Sequence, residues 1–527
     1  MKRWFINFFL LFFLPSLVFA SPKGDSPKRV MVVVLDQMRP DYIETYNLTN
    51  LKKLRDNSLS FKNANVGHFP TNTVMSHPVI GTGLFPKHYG WSDELYEDRE
   101  GWFGPKGERS ITADFGLKQF RKIYQKNLPR PTALSLLKEK LGGEVIAIGQ
   151  KDYAAITMGG LDADRVIVPS GKIKKGKWKG WRRPDGLNVP SYIAKPVGGR
   201  FWLDCRDDYG TKGSLYPLDG NRYVPGEDPE HWGGDFWTTD VALAVIEKNP
   251  EWRVLLVTLG GVDKIGHLFG EMDNPAQQKA TADFPYNFRR VLKIADEQVG
   301  RLVADLKKRG LWEKTIFIVT ADHGGLSSAK HFYGERQRPG HDGHDNFYYG
   351  PFQRSRDYKP SVLARKWLDG RVENALLSTA NRIWLNEEAK RDVPAQCRHF
   401  SQMPAAIAVY RKNGEGDSYF YERCSPYRGP HLPPFLDPVT LLNTSASGQA
   451  PDLVVQLADD SGYALLGDHG GFQEKSMRIP FFLHTPGIQP AMSHCPIRLV
   501  DLLPIVMTQV GVKPPSWMDG NTDCLKP

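Results

Sequence analysis

The sequence predicts an α/β fold: a mainly parallel central sheet flanked by helices, interrupted by irregular insertions. Three observations predict it. Apolar, β-rich runs recur at Arg29–Leu35, Glu144–Gly149, Arg253–Leu259 and Thr315–Thr320, and none alternates in polarity as a half-exposed strand would. Helical patterns separate them. Three of the four runs stop at a carboxylate: Asp36, Asp263 shortly after Gly260-Gly261, and Asp322 followed by His323. In an open α/β sheet the carboxyl edge of the strands is where ligands bind.

Taken in order, the chain opens with Met1-Lys2-Arg3, an apolar run around Phe8–Leu14, and Leu17-Val18-Phe19-Ala20 before Ser21. A basic start, an apolar core and a small-residue exit describe a secretory signal peptide over 1–20, cleaved after Ala20. Asn7 and Pro15 leave that core short for a membrane anchor. The mature chain, 21–527, is expected to be exported, with no membrane association after cleavage.

A helix is predicted over about 51–57, and the Glu144–Gly149 strand leads into Gln150-Lys151-Asp152-Tyr153. Residues 160–235 then turn rich in Gly, Trp, Pro and Lys and read as an insertion. Within them Gly171 to Lys177 imitates a phosphate loop, but Trp178 stands where Ser or Thr would bind magnesium, so the motif is discarded. The basic run 172–183 reads as a solvated loop.

Regular structure returns with helices at 238–248 and about 287–309, the latter stopping at Gly310. Residues 327–450 form a second expected insertion, with some helices and short strands. The tail offers Tyr463–Leu466, Asp468-His469-Gly470-Gly471, a strand at 479–484 and a helix at 498–510. Five cysteines contain no CxxC pair, which argues against a thiolate zinc site. Sequence-local pairing gives Cys397–Cys424 and Cys495–Cys524, leaving Cys205 free.

The chemistry centres on Phe69-Pro70-Thr71-Asn72-Thr73-Val74-Met75-Ser76-His77-Pro78, a turn leading into a short helix. A hydroxyl at a helix N-terminus can stand exposed to an anion. No Gly-x-Ser-x-Gly elbow occurs, so activation by a histidine–aspartate pair of that kind is not indicated. The alternative is activation of Thr73 by metal. Asp263 and His267 are four apart and share a helix face. Asp322 and His323 break from a strand end together, and His469 follows Asp468. Carboxylate and imidazole without thiolate suit zinc, and six protein ligands exceed one tetrahedral site, so two divalent ions are expected. A further cluster, His341, Asp342, His344 and Asp345, has no preceding strand and is assigned no metal.

These residues resemble the alkaline phosphatase superfamily, specifically its type I phosphodiesterase/nucleotide pyrophosphatase and threonine-nucleophile alkaline phosphatase branches. The resemblance rests on Val34–Tyr42, the Thr73 segment through Thr82-Gly83, Asp263 to His267, Thr320 to Gly324, and His469-Gly470 ahead of Arg478-Ile479-Pro480. It implies an alkaline-phosphatase-like catalytic domain over 21–527. Asp263, His267 and His469 would hold one ion, Asp36, Asp322 and His323 the other, and Thr73 would bridge to the second.

Substrate is where the chain departs from its kin. Lys151 matches a phosphate-contacting lysine of the monoesterase branch, but Tyr153 stands where that branch has an arginine. Near the asparagine that both branches aim at phosphate, this chain reads Ser92-Asp93-Glu94-Leu95-Tyr96. A carboxylate there repels a dianion unless it is protonated or turned away. Lys151, Tyr153 and Glu94 are therefore the candidate substrate contacts. The expectation is a phosphodiesterase or nucleotide pyrophosphatase acting on a small phosphate ester, with phosphomonoesterase and phosphonate hydrolase as alternatives. A sulfatase is disfavoured, since no Cys/Ser-x-Pro-x-Arg stretch occupies the nucleophile position. Net charge +10 suits anionic substrates without selecting one, and no specific nucleic-acid partner is predicted.

Overall fold

The computed structural model describes residues 27–102, 105–112, 115–168, 171–174, 177–181, 190–193, 201–202, 223–224, 234–269, 287–326, 331–333, 348–349, 362–463 and 467–526. The expected signal peptide, Cys205, residues 464–466 and the His341–Asp345 cluster lie outside them. An eight-stranded sheet forms the core. From edge to edge its strands are Ala491–Ser493, Leu59–Phe61, Phe481–His484, Thr315–Thr320, Arg29–Leu35, Trp252–Leu259, Glu144–Gly149 and Arg165–Ile167. The five from Thr315–Thr320 to Arg165–Ile167 run parallel, and Phe481–His484 pairs antiparallel with both its neighbours.

Register explains why the strand ends converge. Val34 lies opposite both Thr258 and Thr320, and Thr258 opposite Gly149. Residues two beyond Val34, Thr320 and Gly149, namely Asp36, Asp322 and Lys151, must therefore emerge at one edge. The Arg29–Leu35 strand is buried along nearly its whole length, as its unbroken apolar run requires.

The segment after Asn72 forms a helix, Thr73–Thr82, buried at every position. Pro78 sits inside it and has no N–H to give the Val74 carbonyl. Trp91 Nε1 reaches that carbonyl instead, at 3.4 Å. Gly81 lets this helix lie against the Asp152–Gly159 helix: a Cβ there would stand 2.1 Å from the Met158 carbonyl oxygen.

Several boundaries differ from expectation. The first long helix begins at Thr49, and the 238–248 helix begins at Asp235. The tail strand begins at Phe481, because Pro480 before it has no N–H for a ladder. The 498–510 helix divides into a 3-10 turn, Leu499–Asp501, and Leu502–Gln509, with Pro504 in the first turn of the latter, where a missing N–H costs least. The phosphate-loop imitation is an antiparallel hairpin, Gly171–Lys174 against Lys177–Trp181.

Within the expected insertion at 327–450 lies much of a second, six-stranded sheet. Its order is Tyr348–Tyr349, Val372–Leu376, Ala380–Leu385, Leu453–Leu457, Ala406–Asn413 and Phe420–Arg423, antiparallel throughout. One of its faces packs a separate apolar cluster with Cys397 and Phe400 from the Val393–Phe400 helix and Met403 just beyond it. Cys397–Cys424 clamps that helix to the sheet, and Cys495–Cys524 ties down the C-terminal segment. Both pairs are the sequence-local ones.

Candidate active site

Thr73 is the first residue of its helix and is 4% exposed. Asn72 caps the helix, its side chain accepting from the Met75 N–H at 3.1 Å, which satisfies one of the unpaired donors of the first turn. The Thr73 hydroxyl oxygen lies 3.1 Å from Lys151 Nζ, 3.4 Å from Asp36 Oδ1 and 3.3 Å from His323 Nε2. One turn on, His77 Nδ1 is 3.0 Å from the Thr73 carbonyl and Nε2 is 3.0 Å from Thr258 Oγ1.

Around this hydroxyl stand all the expected ligands. Asp263 Oδ1 is 3.1 Å from His267 Nε2 and 3.3 Å from His469 Nε2, and the two imidazole nitrogens are 3.3 Å apart. His323 Nε2 is 3.5 Å from Asp36 Oδ1 and 3.3 Å from Asp322 Oδ2. The His323 and His469 rings stack, with centroids 3.8 Å apart.

The structure thus brings Asp263, His267 and His469 into one group, and Asp36, Asp263 and His323 into another that shares Asp263. Asp322 borders the second group. Its Oδ1 accepts from the Gln37 N–H at 3.2 Å and its own neighbour's N–H, that of His323, at 2.9 Å. Gln37 takes φ 63° to make that contact. Gly324 is required beside His323, since a Cβ there would meet the Lys475 carbonyl oxygen at 2.0 Å.

The donors fit divalent ions. His323 Nδ1 sits 2.9 Å from the Gly324 carbonyl and His469 Nδ1 3.0 Å from the Thr71 carbonyl. A carbonyl accepts only, so each Nδ1 carries the proton and each Nε2 lone pair faces the site, as metal-binding imidazoles are held. Asp36 Oδ1 and Asp322 Oδ2 face His323 Nε2 from buried positions, and Asp322 Oδ2 has no hydrogen-bond donor among the described residues. Three buried carboxylates against one lysine leave a surplus of negative charge, which bound cations would neutralise.

That crowding shifts the ionisations. Burial and the Asp263 and Asp322 charges push Asp36 well above the usual carboxylate range. Burial, with Asp263 adding to it, raises Asp322 to about 7. Burial also acts on Asp263, but His267 and Lys151 outweigh it and hold that carboxyl well below its ordinary value. Lys151 Nζ, 2.6 Å from both Asp36 Oδ2 and Asp263 Oδ2, is held well above a free lysine because the carboxylates overcome its burial. Burial depresses His323 to about 3 and, with His323 beside it, places His469 well below 6.5.

Among the candidate substrate contacts, Lys151 is at the centre, and Tyr153 is buried on the helix that follows it. Glu94 is half-buried in the segment before the Leu95–Asp98 strand. Asp93 is fully buried, and its carboxylate is taken up by Arg382 Nε at 2.8 Å and Asn72 Nδ2 at 2.7 Å. The Arg382 guanidinium thus offsets the charge that its sequence position suggested would face substrate. Sequence reasoning overlooked Asn72, His77 and Arg382. A capping rule could have found Asn72, three residues before Met75; nothing local marks Arg382.

Residues 30–471 match the family model for type I phosphodiesterase/nucleotide pyrophosphatase. The chain is 29% identical over 220 residues to a calcium-transporting ATPase of Myroides odoratus, covering 39% of this chain and 38% of that protein. It is 25% identical over 266 residues to human bis(5'-adenosyl)-triphosphatase ENPP4, covering 50% and 46%. The chain thus spans less than half the length of these two curated relatives. A crystal structure of alkaline phosphatase PafA superposes with TM-score 0.61 at 15% identity, covering 95% of this chain and 99% of that one. That likeness is one of fold.

Proposed function

The chain belongs to the type I phosphodiesterase/nucleotide pyrophosphatase family of the alkaline phosphatase superfamily, and from that premise we propose that it is an exported hydrolase of phosphoric esters with Thr73 as nucleophile. The observation that carries this reading is the position of the Thr73 hydroxyl, within 3.4 Å of Lys151 Nζ, Asp36 Oδ1 and His323 Nε2.

Divalent ions held by Asp263, His267 and His469 and by Asp36, Asp322 and His323, with zinc favoured by the donor set, would lower the proton affinity of the Thr73 hydroxyl and draw charge from the phosphoryl oxygens. Thr73 Oγ1 attacks phosphorus and the bond to the leaving oxygen breaks, giving a phosphothreonine and a departing alcohol or nucleotide that takes up a proton. Water then attacks the same phosphorus, restores the Thr73 hydroxyl and releases the phosphoryl product. Lys151, 3.1 Å from Oγ1, stabilises negative charge on the nucleophile and on the phosphoryl group as a point charge, without the fork an arginine would offer. The N-terminus of the Thr73–Thr82 helix favours the same anion.

A diester or a nucleotide polyphosphate suits this arrangement best. Tyr153 replaces the second cation expected of a monoesterase, and half-buried Glu94 is the candidate opposing charge. Human bis(5'-adenosyl)-triphosphatase ENPP4, among the relatives, points the same way. Lys151 itself favours a second reading, phosphomonoesterase, because it matches the monoesterase lysine. Two disulfides suit an oxidising compartment, and among the described residues no helix is long and apolar enough to cross a membrane.

The test is a hydrolysis panel with matched leaving groups: a monoester, a diester, a dinucleoside polyphosphate and a phosphonate, run beside Thr73→Ala. Loss of turnover on every substrate, with the fold and metal content retained, is the expected outcome. Full activity of Thr73→Ala would remove the nucleophile assignment.

A further inference from the structure

Asn72 does more than cap a helix. Its Oδ1 accepts from the Met75 N–H, and its Nδ2 donates to Asp93 Oδ1 at 2.7 Å. Aspartate or serine caps a helix as well as asparagine does. Aspartate cannot donate, however, and serine accepts and donates through one oxygen on a short stem, whereas the amide accepts at Oδ1 and donates from a separate Nδ2. The bond to Asp93 fixes which way the amide faces. Asp93 is in turn held by Arg382 Nε, and its Oδ1 also accepts from the Glu94 N–H at 2.8 Å. Arg382 Nη1 reaches the Ala380 carbonyl at 2.6 Å and the Gly470 carbonyl, next to His469, at 3.2 Å. Arg382, Asp93 and Asn72 are all buried.

From this chain of contacts we infer that Arg382, on the antiparallel sheet, is a positioning residue that sets the reactive geometry of Thr73 through Asp93 and Asn72. The inference rests on Thr73 being the nucleophile. Three parts of the site meet at the Arg382–Asp93 pair: the cap of the nucleophile helix and the backbone at Glu94 on the carboxylate, and the carbonyl after His469 on the guanidinium. The Arg382–Asp93 pair is charge-assisted and desolvated, so it is stiff where an exposed pair would not be. A nucleophile displaced by about 1 Å loses on the order of a hundredfold in rate, so stiffness at the cap is worth turnover.

Asn72→Ser provides the discriminating test, because serine still caps the helix but cannot reach Asp93. Asn72→Ser, Arg382→Gln, their combination and Thr73→Ala are assayed for kcat, KM, metal content and thermal stability. The expected result is a fall in kcat of about ten- to a hundredfold for Asn72→Ser, with KM, metal content and melting temperature close to wild type. The double variant should be no slower than Arg382→Gln alone, since both break one path. If Arg382→Gln does not fold, Asp93→Asn, which removes the ion pair and keeps the volume, takes its place in the cycle. A kcat for Asn72→Ser within about twofold of wild type while Thr73→Ala is inactive, or losses that simply multiply, would overturn the inference and leave the nucleophile in place. An active Thr73→Ala would instead remove the reading beneath it.

Discussion

Lys151 Nζ stands 2.6 Å from Asp263 Oδ2 and bridges from there to Asp36, so one ammonium joins carboxylates from two strand ends. A single cation among three buried carboxylates is a minimal counter-charge. Lys151→Met should therefore destabilise the metal-free protein by about 3–5 kcal/mol, the usual consequence of removing one partner from a buried pair. Zinc should restore most of that loss. Turnover of the metal-loaded variant should fall roughly ten- to a hundredfold, as one charge-assisted contact to the phosphoryl group disappears. Equal melting shifts in chelator and in zinc would contradict the counter-charge role.

Proton release on metal binding follows from the shifted carboxyls. Asp322 titrates near 7 in the metal-free site, Asp36 is raised well above its ordinary value, and Asp263 raises His267 in spite of its burial. Ligands must shed their protons to bind. Zinc loading of chelated protein at pH 6 should release more protons than at pH 8, and affinity should weaken on acidification through pH 7. Titration calorimetry in two buffers of different ionisation enthalpy measures this directly. A release that does not change across that range would argue against these residues as ligands.

Much of this site could be read along the chain, because strand ends are fixed by local pattern. A buried parallel strand is a continuous apolar run, so Asp36 and Asp322 announce their position by terminating one. The Asp263–His267 pair follows from helix periodicity. The antiparallel sheet was not legible in the same way. Ala406–Asn413 is buried only in its middle, and Val372–Leu376 carries a register shift against its partner. Asp93 shows the deeper limit. Its sequence position suggests a charge facing substrate, while its fate is decided by Arg382, 289 residues away.

His77 gives the protein an acid-sensitive element. Burial lowers it to about 3, and its neutral ring donates from Nδ1 to the Thr73 carbonyl while accepting at Nε2 from Thr258. A histidine whose folded pKa lies below its unfolded value of about 6.5 contributes stability that is complete above 6.5 and is lost as pH falls toward 3. The loss is at most about 1.4 kcal/mol per pH unit for one such group. Asp322, raised to about 7, acts with the opposite sign in the metal-free protein, so the measurement belongs on metal-loaded protein. Urea unfolding between pH 6.5 and 5 should show a shallower slope for His77→Asn than for wild type. An identical slope would mean that His77 protonates without cost in the fold.

Tyr153 decides the final prediction. A monoester carries nearly two negative charges at neutral pH and a diester one, so preference depends on cations beyond the metals. Lys151 supplies one, and Tyr153 lies two residues on, buried on the Asp152–Gly159 helix. Asp93 is neutralised by Arg382 and drops out of the balance, leaving Glu94 as the candidate opposing charge. The net positive potential at the phosphoryl group is then higher than the sequence alone implied, but still one guanidinium short of the monoesterase pattern. A missing charge-assisted hydrogen bond is worth about 1.5–3 kcal/mol, or roughly ten- to a hundredfold in rate. Tyr153→Arg should raise kcat/KM for a monoester relative to a diester by about that factor, and Glu94→Gln should move the ratio the same way by less. A wild type that already prefers monoesters by several orders of magnitude, or a ratio unmoved by Tyr153→Arg, would defeat this account of specificity and leave Thr73 and its ligands untouched.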